Sequence, residues 1–186
     1  DKAIECFDAV IEKNNRNLDA YFNKGLCLFI LKRFDEAKDL FKKCILIDRK
    51  FGKAYMFLGD MAFFIDGKVE IALENYNKAI INNFDVEAVH LSKAFIYSTM
   101  NDKINALKSY NKALLKNPKS KKALLGKLEL YFKQLRFKDA EECINKIREI
   151  DTECEEYYTW APLILTAQGK DKEALEILDE ADKVIG

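Results

Sequence analysis

Proline, histidine and tryptophan are nearly absent: the 186 residues include two prolines, one histidine and one tryptophan. With only two prolines and seven glycines, the chain has little room for flexible linkers or low-complexity tracts. The glycines stand singly, so neither GxxxxGK[ST] nor GxGxxG can be written and no phosphate-cradling loop is present. No apolar run reaches the roughly 18 residues of a membrane span, and no secretory apolar core opens the chain. The five cysteines (Cys6, Cys27, Cys44, Cys143 and Cys154) are odd in number and scattered, without a CxxC pair. That argues against a disulfide framework or a zinc site. They read as free thiols filling a core, which suits a reducing compartment and makes the cytoplasm the expected location. The single histidine, His90, has no acid–base partner marked by spacing and reads as a packed core residue. Glu141-Glu142 and Glu155-Glu156 fall on polar faces and read as solvated charge. The expectation is therefore no enzyme, with no catalytic residue, no cofactor and no metal.

What the chain has in abundance is a repeat. An alanine followed four residues later by a bulky apolar residue occurs six times: Ala3/Phe7, Ala37/Phe41, Ala72/Tyr76, Ala106/Tyr110, Ala140/Ile144 and Ala174/Leu178. Neighbouring alanines lie 34, 35, 34, 34 and 34 residues apart. A period of that length denotes helical hairpins, each burying its apolar face against its neighbours. Within 18–51, Tyr21, Gly25 and Leu28 recur at helical spacing, Lys32-Arg33 forms a turn, and Phe34, Ala37, Phe41, Cys44 and Ile45 mark a second helix. Gly25 and Ala37 are small where two helices approach, and Tyr21 and Phe41 fill the space beside them.

The same grammar returns as Tyr55-Leu58-Gly59-Ala62, then as His90-Ala94-Tyr97, Leu124-Leu128-Tyr131 and Tyr158-Pro162-Leu165, each followed by its alanine pair. These residues resemble the tetratricopeptide repeat family, whose signature is a large residue, Leu-Gly, an aromatic, then Ala-x-x-x-Phe and a closing proline. The resemblance implies an all-α, right-handed α-solenoid of helix-turn-helix repeats over 1–186. A half-repeat at 1–17 precedes full repeats at 18–51, 52–86, 87–120, 121–154 and 155–186. Because the first pair has no preceding partner helix, the expectation is a fragment of a longer chain. Three departures stand out. One extra residue is expected near Asp66-Gly67, Leu128 is larger than the usual small residue, and Pro162 is expected to kink or shorten its helix.

The resemblance also implies that each first helix turns its remaining face to the concave side of the superhelix. That face carries Phe22, Leu26, Phe29 and Ile30, then Met56, Asp60, Phe63 and Phe64, then Leu91, Phe95, Ser98 and Thr99. Leu125, Glu129, Phe132 and Lys133 continue it, followed by Thr159, Leu163 and Thr166. Lysine, asparagine and arginine, which family members use to grip a terminal carboxylate, are largely replaced here by apolar and acidic residues. An apolar groove suits an amphipathic helix docking by i, i+4, i+7 anchors. The expected function is a protein-interaction scaffold binding a peptide or amphipathic helix through Phe22, Leu26, Phe29, Met56, Phe63, Leu91, Phe95, Leu125 and Phe132. Packing between neighbouring first helices is an open alternative for the same stripe.

A formal net charge of zero conceals a strong asymmetry. Residues 101–148 hold thirteen Lys/Arg against five Asp/Glu, whereas residues 149–186 hold three against eleven. Opposite patches can steer a charged partner or a second copy of the chain, or merely keep the array soluble. Nucleic acid is disfavoured, because the acidic stretch repels phosphate. Two other functions stay open: self-assembly through apolar end faces that include Leu175, Leu178 and Ile185, and service as the recognition module of a larger enzyme.

Overall fold

The computed structural model describes residues 2–184. Eleven α-helices and no strand occur among them: α1 (Lys2–Lys13), α2 (Leu18–Ile30), α3 (Phe34–Ile47), α4 (Gly52–Phe64), α5 (Val69–Ile81) and α6 (Glu87–Thr99), followed by α7 (Lys103–Lys116), α8 (Lys121–Lys133), α9 (Phe137–Ile150), α10 (Glu155–Ala167) and α11 (Asp171–Val184). The first helix of each hairpin starts at Leu18, Gly52, Glu87, Lys121 and Glu155. The chain divides into two compact units, Asp1–Ser92 and Lys93–Gly186, with the boundary inside α6.

Local chemistry sets the helix ends. The side chains of Asn17, Asp102 and Ser120 accept hydrogen bonds from the backbone N–H of Ala20, Asn105 and Ala123 at 2.9, 3.1 and 3.1 Å. Each satisfies a donor that the first helical turn leaves orphaned. Four hairpins turn through three residues, whereas α4 and α5 are joined by the four residues 65–68, which is where the extra residue was expected. Every hairpin turn contains one residue of positive φ: Lys32, Gly67, Asn101, Leu135 and Gly169. Only two of these are glycine; Leu135 holds φ 59° with its side chain exposed to solvent.

The first unit is built on aromatics. Phe22 packs at ring-centroid distances of 5.7 Å from Phe41, 5.2 Å from Phe51 and 5.5 Å from Phe57, and Phe57 stacks on Phe41 at 5.3 Å. Ala37, Phe41 and Cys44 are fully enclosed in this core. A Cβ placed on Gly25 would lie 2.8 Å from a ring carbon of Phe41, and one on Gly59 2.8 Å from Tyr76. Small residues on the first helix thus make room for aromatics on the second.

The second unit achieves the same filling with other residues. Leu128 is fully buried in one cluster with Ala140, Cys143, Ile144 and Ile147. The larger Leu128 therefore stands with the smaller Ile144, reversing the glycine–aromatic arrangement of the first unit. Pro162 is buried within α10, yet the helix runs unbroken for 13 residues, the length of the other first helices. The expected shortening does not occur. Cys44, Cys143 and Cys154 are buried as core fillers and burial pushes the Cys44 thiol up to about 12, but Cys6 is exposed and Cys27 half-buried. All five are free.

Candidate functional site

The nine residues expected to form a groove differ sharply in accessibility. Phe22 is 8% exposed and belongs to the aromatic core. Phe29 packs edge-on to Phe34 and Phe57, and Leu26 lies against the same cluster. Phe132 meets Phe137 and Trp160, each at 5.5 Å, and Leu125 packs on the core of the second unit. Met56, Phe63 and Leu91 are half-buried. Phe95 is the open residue of the nine, with 47% of its surface exposed. Much of the stripe is thus inter-helix packing, although outside these nine its Ile30, Phe64 and Leu163 are 76%, 60% and 52% exposed.

Around Phe95 the second unit forms a cavity of about 390 Å³ between α6 and α8. Leu130 and Phe95 give it apolar surface, Ser98, Thr99 and Tyr110 supply hydroxyls, and Lys103, Glu129 and Lys133 stand at the rim. Gly126 opens the wall: a Cβ there would fall 2.2 Å from the Tyr110 ring. Burial raises the Tyr110 phenol above its ordinary range, a rise the neighbouring Ser98 hydroxyl partly offsets. Ser98 Oγ is fully enclosed and makes no hydrogen bond of standard geometry. Apolar area with a few convergent polar groups is the usual constitution of a recognition pocket.

The first unit holds a polar cluster that sequence reasoning did not assemble. Tyr76 Oη donates to Asp60 Oδ1 at 2.6 Å, and Ser92 Oγ donates to the same oxygen at 3.3 Å. These residues come from α5, α4 and α6, so no short motif reports their meeting. Burial pushes the Asp60 carboxyl above its usual 3.8, and the two hydrogen bonds oppose that rise. A carboxyl raised on folding contributes stability below its unfolded pKa and loses it as pH climbs through the folded one. Asp60→Asn keeps an acceptor for Tyr76 and Ser92 and removes the buried charge. At pH 7 it is expected to stabilise the protein by about 1 kcal/mol. Denaturant titrations across pH check this: the gain should shrink as pH falls toward 3.8.

His90 is 3% exposed, as its core position implied, and its Nε2 lies 2.6 Å from Asp85 Oδ1. That partner sits five residues earlier and was not marked by spacing. No group of three or more His, Cys, Asp and Glu suited to a metal ion occurs among the described residues, and no described helix is long and apolar enough to cross a membrane. The charged stretches partly neutralise each other. Lys121 Nζ lies 2.7 Å from Asp151, Arg148 pairs with Glu180 at 2.7 Å while bonding the Tyr157 hydroxyl at 2.8 Å, and Lys170 approaches Glu141 at 3.5 Å.

Two family models, both described as the tetratricopeptide repeat, match residues 18–51 and 104–159. The chain carries tetratricopeptide repeats. A tetratricopeptide repeat-containing protein of Methanocaldococcus jannaschii is 24% identical over 154 residues, covering 80% of this chain and 25% of that protein. A BBSome complex member from Bos taurus is 27% identical over 126 residues, 67% of this chain and 24% of its own length. The chain thus spans about a quarter of these curated relatives. The crystal structure of YrrB, a tetratricopeptide repeat protein with an unusual peptide-binding site, superimposes with a TM-score of 0.75. That match covers 97% of this chain and 93% of the other at 18% identity. Likeness at that identity carries the all-α repeat fold.

Proposed function

We propose that the chain is a protein-interaction scaffold holding a peptide or amphipathic helix of a partner protein against the first-helix face, with Phe95 as the central anchor. The observation that carries this is the cavity beside Phe95, where a large aromatic side chain remains 47% exposed on an otherwise packed helix face. An apolar anchor of the ligand would cover Phe95 and Leu130. The Thr99 hydroxyl and the Lys103, Glu129 and Lys133 side chains would fix its polar atoms and direction. Within the second unit, Leu125 and Phe132 extend the face as half-buried contacts rather than independent anchors. The peptide-binding site named for YrrB supports the reading at the level of fold.

The test is an immobilised library of helical peptides bearing apolar residues at i, i+4 and i+7, probed with the wild-type chain and Phe95→Asp. The variant site is exposed, so circular dichroism and melting should be unchanged. The best wild-type ligand is expected to lose at least about 30-fold in affinity, the scale of an interface hot spot. Equal affinities would remove the Phe95 cavity as the binding site.

A further inference from the structure

Two surfaces of the second unit, apart from the Phe95 cavity, complement one another. The first is the outer face of α7. Ile104, Lys108, Lys112 and Leu115 follow at i, i+4, i+8 and i+11, within one quarter of the helix circumference. Ile104 and Leu115 are each 80% exposed, and both lysines are exposed. Neither lysine joins an ion pair within the described chain. Burial lowers the Lys93 pKa, and the charges of Lys112 and Lys108 lower it further, so positive charge is concentrated here. A helix face that pairs bare aliphatics with clustered lysines is suited to an apolar surface ringed by acids.

The second surface brings aliphatic side chains and acids together. A cleft of about 250 Å³ lies between α9 and α11, with Ala161, Ile164 and Leu165 of α10 in its floor. Glu141, Glu173 and Glu176 stand around it. Glu141 is engaged by Gln168 at 2.7 Å and by Lys170, whereas Glu173 and Glu176 are exposed and join no ion pair among the described residues. The space admits one or two branched aliphatic side chains. Its rim leaves two carboxylates for the two lysines of the α7 face.

We propose that the occupant of the α9–α11 cleft is a second copy of this chain, which inserts Leu115 or Ile104 of its α7 into the cleft and sets Lys108 and Lys112 against Glu173 and Glu176. A second copy is favoured because it supplies both halves of the match, in charge sign and number of unpaired ions. The donor and acceptor patches differ, so contact is heterologous: copies add head to tail unless two of them engage reciprocally. The ion pairs lie at a solvated rim, so they set orientation and salt dependence while the buried aliphatics supply most of the attraction.

The experiment measures mass against concentration by sedimentation equilibrium. At low salt the average mass should rise above the 21.5 kDa monomer, and about 1 M salt should weaken the association without abolishing it, because screening acts on the rim ion pairs and not on the buried aliphatics. Lys108→Glu/Lys112→Glu and Glu173→Lys/Glu176→Lys should each weaken self-association about a hundredfold, since like charges then face each other. Mixing the two variants restores opposite signs at both contacts and should restore association. All four positions are exposed, so circular dichroism of each variant should match the wild type. Self-association that persists in both variants, or a mixture that stays monomeric, overturns the proposal. A wild-type chain that is monomeric at every concentration also overturns it, and leaves the cleft to a basic helix of another protein.

Discussion

Gly52→Ala should destabilise the first unit by about 3 kcal/mol, near the upper end of overpacking costs, although it adds one methyl group and a better helix former. Gly52 is the first residue of α4 and is buried. A Cβ there would fall 2.4 Å from Phe84 Cβ, 2.6 Å from the Asn82 carbonyl oxygen and 2.8 Å from that of Ala79. Two of the three obstacles are backbone, and the third is fixed to backbone by one bond, so none can rotate aside. The Ala79 carbonyl also accepts the Phe84 N–H at 2.9 Å, closing the end of α5. Pushing it away would loosen the helix end as well as the packing. Gly67 provides the control: it has open space around it but a φ of +66°, so alanine there should cost only the left-handed backbone penalty, about 1 kcal/mol. Chemical denaturation of both variants checks the contrast. Equal losses would mean that conformation, not close approach, explains Gly52.

The difference between these two glycines also marks what the sequence could and could not show. Periodicity reveals contacts inside one hairpin, because both partners recur at a fixed offset. Gly25 and Ala37 were recognised as close-approach positions on that basis, and Gly25 does face Phe41. Gly52 answers to Phe84 in the loop after α5, and Gly126 to Tyr110 of the preceding repeat, so no recurring helix-to-helix offset announces either. In the Asp60–Tyr76–Ser92 cluster, Ser92 comes from the next repeat, and the Asp60–Tyr76 pair is polar where the repeat signature marks only apolar and small positions. The apolar stripe was legible as apolar, but amphipathic spacing cannot tell which side a neighbouring hairpin covers. Phe22 and Phe95 carry the same residue type at comparable places, and one is 8% exposed, the other 47%. Charge was readable as blocks. Which lysines find partners was not, since Lys121 meets Asp151 across 30 residues while Lys112 meets no acid among the described residues.

Phe41→Ala should cost about 4 kcal/mol, the scale for deleting a buried aromatic ring, and its recovery should be possible from the opposite helix. Phe41 is fully buried and touches Phe22 and Phe57, so alanine leaves a void bounded by two rings that are themselves packed. Gly25→Ala alone should be milder, about 1 kcal/mol, because its new methyl would meet the ring edge at 2.8 Å and the ring can yield slightly. The second unit shows how both changes can be combined, since there the equivalent pair is Leu128 with Ile144, both enclosed in one core cluster. Gly25→Ala with Phe41→Leu transfers volume from one helix to the other in the same sense. The double variant should be more stable than the sum of its single changes predicts, by about 1 kcal/mol of favourable coupling. A double-mutant cycle on urea unfolding measures that term directly. Strict additivity would show that the glycine and the aromatic are selected independently, and that the paired substitution seen between the two units reflects no shared packing constraint.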